Sequence, residues 1–256
     1  MNKKAFWLSI IGIIISFAGG FFLANALNRK EIDDLRAENG RLKTSQQTAP
    51  DASQGVPVLS DEEIQQKLDQ ADKNPDNTEF QKNLATALYR YAAMKHESKW
   101  LNDVKRLLTR VYEKNPKDYS TMVSLGNIYL DTALETAQTD IVETKNDTNK
   151  NLTAAREFYQ KALQINPKDE DVRVDLGLTY LNFQPPETDR AFGEFQKILK
   201  ANPKNQKALE SIAKTLIMRG NLIEAENYLN KLKEIDPNDE ALPDLQNYLN
   251  TEKNNK

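Results

Sequence analysis

The chain holds a single histidine, His96, and no cysteine among its 256 residues. Lack of thiols excludes disulfides, thiolate nucleophiles and cysteine-ligated metals, and one imidazole without a nearby carboxylate set cannot complete a zinc site or a nucleophile–base pair. No glycine-rich phosphate loop, serine–histidine arrangement or metal-ligand spacing occurs in the sequence. The acidic pairs Asp33-Asp34 and Glu62-Glu63 fall near the amino-terminal turns of predicted helices, where solvated charge accounts for them. Lys and Arg number 35 against 38 Asp and Glu, and no run of basic residues stands out, so the net charge of −3 carries no nucleic-acid footprint. These residue types predict no enzyme, no cofactor and no metal. The chemistry left to the chain is that of a binding surface.

That surface has to be built from helices. From Asn166 to Pro203 the sequence reads NPKDEDVRVDLGLTYLNFQPPETDRAFGEFQKILKANP, in which Leu176-Gly177, Tyr180, Ala191, Phe195 and Ile198 appear in that order before the closing proline. Two antiparallel helices approach closely where one presents a small residue and the other presses in. Gly177 and Ala191 therefore make room, and Leu176, Tyr180, Phe195 and Ile198 fill the seam. Pro203 ends the second helix, because it cannot continue the hydrogen-bond ladder.

The same grid returns along the chain. Before Pro167 it falls on Leu125, Gly126, Tyr129, Ala155, Tyr159 and Ala162; before Pro237 it falls on Ile212, Ala213, Leu216, Ala225, Leu229 and Leu232. Between Pro75 and Pro116 it falls on Leu84, Ala85, Leu88, Val104, Leu108 and Val111. One hairpin leaves an apolar side uncovered, so successive hairpins must stack.

The order Leu-Gly, Tyr, Ala, Phe, Pro makes residues 60–250 resemble the tetratricopeptide repeat family. The resemblance implies an all-α solenoid of about four helical hairpins with terminal capping helices, binding other proteins. Ser60 and Glu63 form a capping box before Ile64, Leu68 and Ala71, a lone helix covering one end. The first hairpin spans Thr78 to Asn115, with Trp100 packing at the start of its second helix. In the second, roughly seventeen additional residues separate Tyr129 from Ala155 relative to the family's spacing. The part up to Val142 is expected to prolong the first helix, and KNDTNKN to form a polar loop. In the third hairpin QPPETD enlarges the turn, with Thr188 or Asp189 capping the second helix; in the fourth Gly220-Asn221 makes the turn. Leu245, Tyr248 and Leu249 supply a closing helix, and residues 251–256 a polar tail.

In this family the first helices of successive repeats line a concave groove. Carried over position by position, the resemblance implies a groove of Glu79, Lys82, Thr86 and Tyr89, then Ser120, Val123, Asn127 and Leu130, then Asp171, Val174, Leu178 and Asn182, then Lys207, Glu210, Lys214 and Ile217. Members that grip a terminal carboxylate use several cations there. Lys82 and Asn127 match, but Asp171 and Asp175 stand where cations are needed and would repel a carboxylate. An extended or helical peptide with apolar anchors is expected instead.

The first sixty residues read differently. Residues 1–4 make a short basic tail, and Ala5 to Leu27 contain no charge; as a helix the latter would span roughly 34 Å against a hydrocarbon core of about 30 Å. A transmembrane helix is expected. A cleaved signal peptide, with Ala24-Asn25-Ala26 at the cleavage site, is the competing reading, but the apolar run is longer than a usual signal core. Lys3 and Lys4 favour a cytoplasmic amino terminus, although Arg29, Lys30, Arg36, Arg41 and Lys43 favour the reverse. The layout is that of a single-pass bacterial inner-membrane protein with its repeat domain outside the cytoplasm. Gly12, Ser16, Gly20 and Ala24 place small side chains on one stripe of the span. Residues 28–43 come next as a short coiled coil with Ile32, Leu35, Asn39 and Leu42 at a and d positions, suited to a parallel homodimer. Residues 44–59 form a flexible linker.

The function expected is a membrane-tethered adaptor that holds a peptide segment of a partner in cell-envelope assembly. Two alternatives stand beside it: a self-associating scaffold built through anchor and coil, and a subunit presenting apocytochrome in cytochrome c maturation, which anchored envelope repeat proteins of similar layout include.

Overall fold

The computed structural model describes residues 60–95, 97–137 and 144–255. The expected membrane span with its small-residue stripe, the coil, the linker and His96 lie outside the described residues. Among the described residues no helix is long and apolar enough to cross a membrane.

The described residues form ten helices and no strand. The chain divides into two compact units, with Lys67 in the first and Leu68 beginning the second. Helix α1 (Asp61–Lys73) starts in the first unit, where Ser60 and Glu63 make the reciprocal capping bonds of 2.8 and 3.2 Å. The second unit holds four hairpins: α2 (Thr78–Lys95) with α3 (Leu101–Lys114), α4 (Tyr119–Ala137) with α5 (Thr144–Ile165), α6 (Glu170–Leu181) with α7 (Thr188–Ala201), and α8 (Gln206–Met218) with α9 (Leu222–Ile235), closed by α10 (Leu242–Asn254).

A repeated device sets each start. The second helices end at prolines 75, 116, 167 and 203, and the Asn or Asp two residues later caps the next first helix. The side-chain oxygens of Asn77, Asp118, Asp169 and Asn205 accept from the amides of Phe80, Thr121, Val172 and Ala208 at 2.9–3.0 Å. Each satisfies one of the amides a helix start leaves without an intrahelical partner.

Within each hairpin the seam is buried. Leu125, Ala155, Tyr159, Leu176, Ala191, Phe195, Ala213 and Ala225 are buried, as are Gly126, Gly177 and Tyr180. Tyr129 is only half-buried and stacks on Phe158, their centroids 5.8 Å apart. Phe158 also meets the edge of Tyr112 from α3 at 5.2 Å, which joins the first hairpin to the second. The Arg156 guanidinium does the same for the second and third: it lies 4.1 Å from the Tyr180 ring centroid and 3.1 Å from Glu187.

Four local expectations are corrected. The KNDTNKN segment is helical, forming the first turns of α5 together with the buried Thr148. Asn149 on that segment clamps the α6–α7 turn, donating to the Gln184 carbonyl at 2.9 Å and accepting from its amide at 3.0 Å. A polar sequence is held helical here by a tertiary contact that composition does not register. Neither Thr188 nor Asp189 caps α7; Glu187 occupies the cap position without accepting from a backbone amide of the helix, and its carboxylate is taken by the guanidinium groups of Arg156 and Arg190. The polar tail is shorter than expected, since α10 continues to Asn254 and Lys253 reaches Glu226 of α9 at 2.8 Å. Finally, Leu130, Val174 and Ile217, placed in the groove by family position, are core residues at 6%, 4% and 1% exposure.

Candidate binding face

The first helices α4, α6 and α8 touch in sequence, α4 with α6 and α6 with α8, whereas among the described residues no second helix makes comparable contact with the next second helix. Leu130, Val174 and Ile217 belong to the continuous buried core that the hairpins share. The face that remains carries Lys82, Thr86 and Tyr89 on α2, Val123, Asn127 and Asp131 on α4, Asp171, Asp175 and Leu178 on α6 with Asn182 at its end, and Lys207, Glu210 and Lys214 on α8.

Most polar groups on this face have a partner in the protein. Lys82 pairs with Asp118 at 2.7 Å. Burial alone would raise the Asp118 carboxyl, but the bonds from Lys82, Ser120 and the Thr121 amide pull it down to about 2. The Thr86 hydroxyl donates to the Lys82 carbonyl at 2.9 Å, and the Asn182 amide to the Leu178 carbonyl at 2.9 Å. Tyr89 donates to Asp131 across the α2–α4 boundary. Lys207 pairs with the exposed Asp171 at 2.7 Å. Lys214 is exposed, and Val123 and Leu178 are half-buried.

Tyr159 comes from α5 and passes Gly126 to donate its hydroxyl to Asn127 at 2.9 Å. A Cβ at Gly126 would sit 2.5 Å from that ring, so the glycine is what lets a second-helix tyrosine reach the first-helix face. Sequence reasoning assigned Tyr159 to packing and missed this reach. It also missed Asp131, which the family grid sets one position beyond Leu130.

Two carboxyls are pushed upward. Asp175 is raised to about 6 by burial, with Asp171, Asp131 and Asp169 adding to the shift and Lys207 opposing it. Glu210 is raised to about 7, by burial and then by Asp239. A carboxyl whose folded pKa exceeds the usual value of about 3.9 binds its proton more tightly folded than unfolded, so it destabilises the fold once both states are ionised and ceases to do so below its unfolded pKa. Removing the charge should therefore help only at higher pH. Asp175→Asn is expected to raise the melting temperature at about pH 8, with the gain shrinking as pH falls through 6 towards 4. Thermal melts across that range check it, and an equal gain at every pH would show that the charge is not the cause.

Among the described residues no cluster of His, Asp and Glu could hold a metal ion. A separate cleft of about 510 Å³ opens between α7 and α9, lined by Leu199, Pro203, Leu209 and Tyr228 with Lys200 and Lys231 on its walls. Its charge has the opposite sign to that of the first-helix face.

Four stacked helical hairpins whose first-helix face no described helix covers define a helical repeat solenoid. Residues 187–247 and residues 146–169 each match a family model described as tetratricopeptide repeat, so these stretches of the chain carry tetratricopeptide repeats. The fold is also similar to solved structures. A crystal structure of MamA matches at a TM-score of 0.53 with 20% identity, over 70% of this chain and 89% of the other. TTC0263, a thermophilic tetratricopeptide protein of Thermus thermophilus, matches at 0.50 with 18% identity, over 75% of this chain and 89% of its own. No curated protein matches the chain.

Proposed function

We propose that this protein is a membrane-tethered adaptor whose first-helix face holds a peptide segment of a partner protein during cell-envelope assembly. The observation that supports it most is the face itself: half-buried Val123, Tyr89 and Leu178 lie on consecutive first helices, and no described helix covers them. Half-buried apolar groups beside fixed hydrogen-bonding groups suit an extended or helical peptide, which supplies apolar anchors and main-chain donors and acceptors together. The anchor rests on the uncharged stretch from Ala5 to Leu27. Tethering at a membrane would raise the effective concentration of the face towards partners made or moved there.

A photo-crosslinking residue at Leu178 should capture a defined partner in cells, and one at the exposed Glu113 of α3 should not. Leu178→Asp should abolish capture from Tyr89 as well. Capture that survives Leu178→Asp, or that is equal from Glu113, would defeat the adaptor reading. Release of the full chain from membranes by alkaline extraction would defeat the anchor.

A further inference from the structure

Two of the three lysines of the first-helix face are engaged by acids, Lys214 stands exposed, and acids outnumber lysines there. Lys82 is held by Asp118 and Lys207 by Asp171, each at 2.7 Å. Three acids on three adjoining helices are left without a cation in contact. Asp131 on α4 has only the Tyr89 hydroxyl. Asp175 on α6 is half-buried and makes no hydrogen bond or ion pair among the described residues. Glu210 on α8 faces another acid, Asp239.

A half-desolvated carboxylate without a counter-charge is costly, and neighbouring like charges add to the cost. Nothing in the hairpin seams requires acids at these positions, since Leu, Ala, Gly, Tyr and Phe make the seams. What relieves all three at once is a ligand that brings its own positive charge. A ligand bringing a carboxylate is rejected by the same arrangement.

We infer that the segment received by this face carries lysine or arginine side chains, set against Asp131, Asp175 and Glu210, with apolar residues between them resting on Val123 and Leu178. This rests on the adaptor reading above and specifies its partner: a cationic peptide segment, as opposed to an acidic tail. The α7–α9 cleft, with Lys200 and Lys231, would turn such a segment away.

The test uses the full chain in detergent micelles and three fluorescent peptides of about a dozen residues. They share their leucines and differ only in carrying Lys, Ser or Glu at the remaining variable positions. At low salt the Lys peptide is expected to bind about tenfold or more tighter than the Ser peptide, and the Glu peptide weaker than both, with the preference fading as salt rises. Asp131→Asn with Asp175→Asn should remove the Lys preference, bringing the Lys and Ser peptides to about equal affinity. The near-isosteric changes keep the fold, which circular dichroism verifies. Glu113→Gln with Glu234→Gln removes the same charge from exposed positions on second helices and should change nothing.

Equal binding of Lys and Ser peptides overturns the inference, as does equal loss of preference in the Glu113/Glu234 variant. In either case the adaptor reading stands if Leu178→Asp still abolishes binding. Failure of all three peptides to bind the wild-type chain overturns both.

Discussion

Gly177→Leu should lower stability by about 3 kcal/mol or more, the upper part of the range for overpacking a close-packed core. At about 2–4 °C per kcal/mol for a body of this size, the melting temperature should fall by roughly 6–12 °C. The reason is geometric. A Cβ built at Gly177 lies 2.3 Å from Cε1 of Phe195, and that ring is fully buried between α6 and α7. The obstacle is an aromatic ring packed on all sides, which cannot swing aside as the end of a flexible side chain could, so the helices must separate.

Gly193, on α7 of the same hairpin, offers the opposite case: an added Cβ meets nothing within 4 Å. Gly193→Ala should stabilise by about 0.5–1 kcal/mol, by reducing the freedom of the unfolded chain and favouring the helix. Opposite signs for Gly→Ala at 177 and 193, measured by thermal or urea melts, would establish that contact with Phe195 decides the outcome. A neutral Gly177→Leu would mean that the hairpin register is wrong.

Tyr159→Ala should cost about 3–5 kcal/mol, as removal of a large buried aromatic does. The ring is fully buried and fills the notch over Gly126. Tyr159→Phe separates packing from polarity. It keeps the ring and loses only the bond to Asn127, so about 0.5–1.5 kcal/mol is expected. The two variants should also differ on the face. With alanine, α4 can settle into the space and carry Val123 and Asn127 with it, weakening peptide binding, whereas phenylalanine holds the helix in place. A loss in Tyr159→Phe as large as in Tyr159→Ala would assign the residue's importance to its hydroxyl.

The difference between readable and unreadable features is clear in these residues. Gly177 and Phe195 could be paired from sequence because a helical hairpin repeats its contacts at constant spacing, and small and large residues alternate across the seam. The turns were legible for a similar reason: Pro167, Pro203 and Gly220 act through their own backbone restrictions, Gly220 lying at φ 75°. The caps after each proline were equally local, and Asn77, Asp118, Asp169 and Asn205 could have been found from their fixed distance to it.

The first-helix face was less legible. Family spacing names which residues leave a helix in a given direction, but the closeness of the next helix decides whether that direction ends in solvent or in a neighbour. Leu130, Val174 and Ile217 ended in the core, while Asp131 took a half-buried place on the face. The α5 extension shows the same limit, since only the fold brings Asn149 to the backbone of Gln184, thirty-five residues away. By itself the sequence determined how many hairpins form and where the prolines stop them, because those depend on interactions between residues near in the chain. Only the tertiary structure decided which acids lose their water and which tyrosine emerges beside them, because desolvation and reach depend on groups that distant parts of the chain bring together.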